Sequence, residues 1–269
     1  MIPDLAPSLL AGYFILGLAT GFVAGLLGVG GGLIIVPVLI GQLHAAGLAP
    51  GIEAQIALGT SLAVIVFTSL SSVRAHHRHG AVEWQVVRRI AGGALVGTLA
   101  GALLAARVPG QILKLFFVVF LAYAAIQMWL DFKPAAHRSM PGSVRSMAAG
   151  GVIGAVSSWV GIGGGTLSVP FMLWHNLPLH RAIATSAAIG FPIALAGTVG
   201  YVVGGWAHSG LPAGSLGFVY LPALGGIVLG SVLIAPLGAR TTHRLPVRRL
   251  KRVFAVLLAV LAIRMAWTL

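Results

Sequence analysis

Apolar residues fill this chain in long runs, separated by short basic clusters, prolines and glycines. The runs cover 9–27, 56–73, 85–106, 112–130, 146–160, 182–203, 217–238 and 250–268. Most approach the roughly 20 residues that a helix needs to cross a bilayer. Two shorter apolar pieces, 33–40 and 166–174, cannot cross alone. They predict half-helices or the return arms of hairpins. The pattern predicts an all-α polytopic integral membrane protein with about eight membrane spans.

Each short piece follows a glycine cluster. Gly28-Val29-Gly30-Gly31-Gly32 is followed by Pro37, and Gly161-Ile162-Gly163-Gly164-Gly165 by Pro170. Clustered glycine does not hold a helix, because its backbone freedom is largest. The two clusters lie 133 residues apart, and other residues repeat with them. Thr60-Ser61 follows the first cluster and Thr185-Ser186 the second. Gly92, Gly93 and Gly97 match Gly225, Gly226 and Gly230, and Arg107 matches Arg240. The chain therefore divides into a first repeat, 1–130, a polar linker, 131–145, and a second repeat, 146–269. Each repeat holds a broken or re-entrant element followed by three spans.

Charge decides the orientation of the repeats. If each broken element is a hairpin, 14 of the 17 Lys and Arg residues fall on one face, and only Arg107, Lys114 and Arg264 on the other. If it crosses once, the bias disappears. The positive-inside rule requires a strong bias. The halves are therefore expected to be inverted, with both termini periplasmic and the Arg-rich loops 74–89 and 239–252 and the linker cytoplasmic.

The rest of the composition narrows the class. Mean hydropathy is +1.00; 58% of residues are hydrophobic and 8% charged. A soluble domain carries about 25% charged residues. The net charge of +13 sits in short loops, where it sets topology and meets anionic lipid headgroups rather than nucleic acid. Cysteine is absent, which removes disulfides, thiol catalysis and thiolate metal sites. The N-terminal run has no basic region before it, so a cleaved signal is not expected. Gly17, Gly21 and Gly25, and likewise Gly93, Gly97 and Gly101, form small faces for close helix packing, inside the bundle or in a homodimer.

The duplicated G-x-G-G-G-x(4)-P segment, the Thr-Ser pair after it and the two-half layout resemble the sulfite exporter TauE/SafE family of membrane permeases. The resemblance covers essentially the whole chain. It implies a permease of the bacterial inner membrane that carries small anions, often sulfur oxyanions or organosulfonates.

The residues suit that cargo. Glycines opening a half-helix expose N–H groups whose dipoles favour an anion, with no side chain in the way. The candidate substrate ligands are Gly28, Gly30, Gly31, Gly32, Gly161, Gly163, Gly164 and Gly165. Thr60, Ser61, Thr185 and Ser186, placed near span starts, offer hydroxyls, unless these cap helices instead. Pro37 and Pro170 fix the backbone just past the glycines. Close packing alone is the competing explanation of the glycines.

The four acidic residues, Asp4, Glu53, Glu83 and Asp131, all fall near predicted ends or loops. None is available as an intramembrane carboxylate for ion coupling. His76, His77 and His79 read as a basic loop rather than a metal site. Trp159 and Trp174 flank the second glycine cluster and can shape a pocket there. A dinucleotide fingerprint needs a glycine where Leu33 and Thr166 stand, and no nucleophile has a base and an orienting carboxylate. The expectation is a transporter, not an enzyme, with no cofactor. An anion channel and a non-transporting structural protein are the alternatives.

Overall fold

The computed structural model describes residues 7–27, 31–130, 140–242 and 247–267. Gly28, Val29 and Gly30 of the first cluster, and most of the linker, lie outside the described residues. The first half holds α1 (Pro7–Leu27), α2 (Gly32–Ala45), α3 (Glu53–Arg78), α4 (Trp84–Ala105) and α5 (Gly110–Leu130). The second holds α6 (Ser143–Val160), α7 (Gly165–Trp174), α8 (Leu179–Gly205), α9 (Leu221–Thr242) and α10 (Val247–Ala266). The order in each half is one helix, a short helix after a glycine break, then three more. A two-residue antiparallel ribbon, β1 (Ser215–Leu216) with β2 (Val219–Tyr220), leads into α9.

Among the described residues, α1, α3, α4, α5 and α8 are long and apolar enough to cross a bilayer. The outward faces fit that solvent. Val96, Val152, Leu233 and Val253 are all well exposed. Small hydroxyl residues go inside instead: Thr60, Ser61, Ser157, Thr185 and Ser186 are buried. A water-soluble protein seldom leaves an apolar surface this continuous.

Glycine sets the closest helix crossings. Helix α1 runs parallel to α9: Gly17 lies on the backbone of Ile227, Gly21 on Ser231, and Gly230 on Phe14. Helix α4 runs parallel to α6 in the same way: Gly93 lies on Met147, Gly97 on Gly151, and Gly154 on Ala94 and Thr98. A side chain at any of these glycines would meet backbone of the neighbouring helix. The small faces at Gly17 and Gly21, and at Gly93, Gly97 and Gly101, are thus used inside the chain. Trp159 strengthens the second crossing by donating its indole N–H to the Gly101 carbonyl at 3.0 Å.

The remaining long helices pair across the halves. Helix α3 packs antiparallel to α8, with Gly59 against Tyr201 and Gly197 against Leu62. Helix α5 packs on α10, and near the end of α5 the Trp129 ring lies 5.7 Å from the Arg252 guanidinium at the start of α10. These two helices are therefore antiparallel as well.

Several helix starts differ from the hydropathy pattern. Helix α3 begins at Glu53 and α8 at Leu179, each three residues before its apolar run. Thr60-Ser61 and Thr185-Ser186 therefore lie well inside their helices rather than at the starts. Helix α9 begins later than its apolar run, because Gly217 at φ +54° turns the chain into the ribbon first.

Candidate functional site

The second glycine cluster ends α6 and begins α7, and in the first cluster Gly31 and Gly32 begin α2. Helix α6 stops at Val160. The chain then turns through Gly161 at φ +67° and Gly164 at φ +77° into α7. Those left-handed conformations are open to glycine at no steric cost. In the first half Gly31 precedes α2 at φ +20°. The two starts are built alike. The Gly31 carbonyl accepts from the N–H groups of Ile34 and Ile35, and the Gly164 carbonyl from those of Leu167 and Ser168. No side chain of either N-cap glycine is present to satisfy the first N–H groups, which have no partner within their own helix.

The two tips touch. A Cβ on Gly32 would run into the carbonyl oxygen of Gly161 and stand 3.1 Å from Ser61 Oγ. Ser61 ties the junction by donating to that same carbonyl at 2.8 Å. Gly161 also packs on Val36 and Leu58, and Gly163 on Ile65 and Gly190. Ile65 and Gly190 sit at the middles of α3 and α8, so the second tip is held halfway along the longest helices. Beside Gly31 lies a small crevice of about 10 Å³, room for about one water. It is walled by Ala24, Ile35, Val64 and Ile65, together with Thr20, Thr68 and Ser231.

The hydroxyl pairs divide the work. Thr60 Oγ1 accepts from the Tyr220 N–H at 3.0 Å, at the entry to α9. Thr185 Oγ1 accepts from the Glu83 N–H at 3.0 Å, at the entry to α4. These threonines cap the neighbouring half's helix, not their own. Ser186 shares a 2.7 Å hydrogen bond with Ser168 of α7. The serines therefore hold the tips, and the threonines hold the helices that follow.

The TauE/SafE sulfite exporter family model matches residues 13–265. The chain belongs to the sulfite exporter TauE/SafE family. It is 37% identical over 252 residues to a probable membrane transporter protein of Haemophilus influenzae, covering 93% of this chain and 96% of that one. A probable membrane transporter protein of Xylella fastidiosa is 30% identical over 92% of this chain and 91% of its own. The probable membrane transporter protein YunE of Bacillus subtilis is 30% identical over 71% of this chain and 77% of its own. No solved structure matches the chain. The family and these relatives make the protein a membrane transporter.

Within this TauE/SafE chain the other expected residues take different places. Pro37 and Pro170 each lie five residues into their half-helices, about 7.5 Å from the tips. Trp174 is at the far, exposed end of α7 and does not reach the tip. Trp159 joins α6 to α4 instead of lining a pocket. Arg107 is exposed, and the Arg240 side chain lies outside the described residues. The Trp84 indole donates to His77 Nδ1 at 3.2 Å. No three His, Asp or Glu residues cluster at metal-binding distances among the described residues.

Two features escaped the sequence reading. Glu53, although at a helix start, is buried and pairs with Lys114 at 3.6 Å. It also accepts from the Gly51 N–H at 3.0 Å and lies 3.4 Å from His44. Its position in the first turn of α3 complements the helix dipole. The second feature is a pair of buried hydroxyls next to the second tip, Ser157 and Thr166, that make no hydrogen bond. Lone serines and threonines carry no spacing signal, so only the fold exposes them.

Proposed function

We propose that this protein is a secondary carrier of a small anion, a sulfur oxyanion or an organosulfonate, working by alternating access. The contact between Gly32 and Gly161, deep in the bundle, carries this reading. It joins the start of α2 to the turn that leads from α6 into α7, and helix starts favour anions. A transporter's site commonly lies where two broken helices meet at a repeat interface. Gly31, Gly32, Gly161, Gly163, Gly164 and Gly165 supply the N–H donors, joined by Gly28 and Gly30. Ser61 and Ser186 position the tips, and Thr60 and Thr185 tie them to α9 and α4.

The helix pairing supports inverted repeats. Equivalent helices of the two halves, α3 with α8 and α5 with α10, run antiparallel. The parallel crossing of α1 on α9 is matched by that of α6 on α4. Together with the charge bias, this supports eight spans counting each re-entrant pair as one, with both termini periplasmic, in the inner membrane. The protein is a carrier rather than an enzyme: its hydroxyls act as ligands and caps.

The test is a stability screen on the purified protein with sulfite, thiosulfate, sulfonates, carboxylates and phosphate, followed by uptake into liposomes. A ligand that prefers the native state raises the melting temperature. One anion is expected to do so and to show saturable, exchangeable uptake. Unitary currents in place of saturable uptake would make it a channel, and an absence of any response to anions would remove the proposal.

A further inference from the structure

The crevice beside Gly31 is too small for an oxyanion, yet three hydroxyl residues wall it. Its volume of about 10 Å³ admits one particle the size of a water molecule. Thr20 and Ser231 on its wall are both 1% exposed. Thr20 donates its single hydroxyl proton to the Leu16 carbonyl at 2.8 Å, and Ser231 donates its own to the Gly17 carbonyl at 3.1 Å. With both protons spent, the two hydroxyl oxygens face each other at 3.5 Å as acceptors. Thr68, the third hydroxyl residue, directs its proton toward the Ile65 carbonyl at 3.4 Å. Ala24 also walls the crevice. Helix α1 ends at Leu27, so the Ala24 carbonyl is one of the last four, which have no partner within the helix. That end carries the negative pole of the helix dipole. Acceptor oxygens with no proton to give, beside a helix C-terminus, suit a cation.

The second half builds the same place from hydrocarbon. At the offset of 133, Ile153 stands for Thr20 and Thr98 for Ser231. At the offset of 125 that relates the two Thr-Ser pairs, Ile193 stands for Thr68. Around Gly164, Ile193 Cδ1 and Ile153 Cγ2 come within 2.7 and 3.4 Å of where a Cβ would sit. Around Gly31 the nearest such atom is Thr20 Cβ, at 3.2 Å. Isoleucine therefore serves for packing beside one glycine tip, and packing alone does not call for hydroxyls beside the other.

We propose that the crevice binds one sodium ion, held by the hydroxyl oxygens of Thr20, Thr68 and Ser231 and by the carbonyl end of α1. No carboxylate lies on the wall, which disfavours a divalent ion. The few oxygens and the small space suit sodium better than potassium, whose sites replace a whole hydration shell. The charge lies beside the start of α2, where it favours an anion at the glycine tips. The cation site stands apart from the anion-carrier reading, and either can fail alone.

The experiment measures thermal melting of the purified full chain in nanodiscs with sodium chloride, potassium chloride or choline chloride at equal ionic strength. Sodium raises the melting temperature of the wild type saturably and above the value in either other salt. Thr20→Val, Thr68→Val and Ser231→Ala each raise the half-saturating sodium concentration about tenfold or more, the loss expected when a charged group loses one partner. Thr68→Ser keeps the oxygen and the response. Thr98→Val, in the second half, also keeps the response. Should Thr20→Val fail to fold, Thr68→Val, at a half-buried position, decides the matter. A melting temperature no higher in sodium than in potassium and choline overturns the proposal and leaves the carrier reading standing. A sodium response that ignores the three first-half substitutions also overturns it. A sodium response lost in those variants, with no response to any anion, upholds the cation site and removes the carrier reading.

Discussion

Replacing Gly32 by Ala tests the junction directly, and α2 supplies its own control. A methyl at Gly32 points into the Gly161 carbonyl, with Ser61 Oγ at 3.1 Å and Ile162 Cγ2 at 3.2 Å. The carbonyl cannot yield by turning a rotamer, because it belongs to a backbone held by Ser61 at 2.8 Å. The tips must therefore separate. Overpacking of this kind costs about 1–3 kcal/mol. At about 2–4 °C per kcal/mol for a chain of this size, the melting temperature falls by about 2–12 °C. Gly41 lies further along α2 with nothing within 4 Å of an added Cβ. Ala there meets no neighbour and gains up to about 1 kcal/mol of helix propensity. Gly32→Ala is thus expected to melt lower and to lose anion-dependent stabilisation and liposome uptake, while Gly41→Ala matches or exceeds the wild type in all three. Equal behaviour of the two variants would refute the tip-to-tip contact.

Other perturbations check other links. Gly97→Val, aimed at the Gly151 backbone, is expected to prevent stable folding, while Gly92→Val, whose added Cβ meets only Met147 Sδ at 3.8 Å, leaves yield and elution in size-exclusion chromatography unchanged. Thr185→Val strands the Glu83 N–H and Thr60→Val the Tyr220 N–H; each is expected to lower stability by about 1–3 kcal/mol in thermal melts. Glu53→Gln leaves Lys114 without its carboxylate. It is expected to cost about 2 kcal/mol, less than a fully buried pair because Lys114 keeps some solvent, and Glu53→Gln with Lys114→Met is expected to melt above the single variant. A reporter fused after Leu269 is expected to be active only as a periplasmic reporter; cytoplasmic activity would undo the inverted topology.

Much of this organisation is legible in the chain because bilayers impose simple demands. Long apolar runs mark the helices, and doubled glycine clusters mark the breaks, since each needs backbone freedom that few residues offer. The small faces at Gly17 and Gly93 were visible too, but not their partners, because spacing along one helix does not name the helix opposite. The roles of Thr60 and Thr185 were hidden for a related reason. Their partners, the Tyr220 and Glu83 N–H groups, belong to the other half of the chain, and nothing local reveals a hydrogen bond across 160 or 102 residues. The burial of Glu53 was hidden because closeness to a helix end does not show what covers it, which is Lys114 on α5.

Close packing and ligand binding both ask for glycine, and the helix starts separate the two demands. At the entries to α4 and α9 an N–H inside the protein is satisfied by a threonine from the opposite half. That is the expected solution wherever water is excluded, since an unpaired donor there is costly. At the starts of α2 and α7 the corresponding position holds glycine, which has no side chain to serve as a cap. Packing explains why Gly32 and Gly161 lack side chains, because each would strike a neighbour. The missing side-chain cap is shared with the starts of α3, α6 and α8; what the glycine-led starts add is bare backbone at a junction tied by Ser61. Donors left free at a buried meeting point keep their full attraction for an acceptor that arrives and departs. A permanent cap would cancel that attraction; on the carrier proposal, the same omission is what would give a transported anion somewhere to bind.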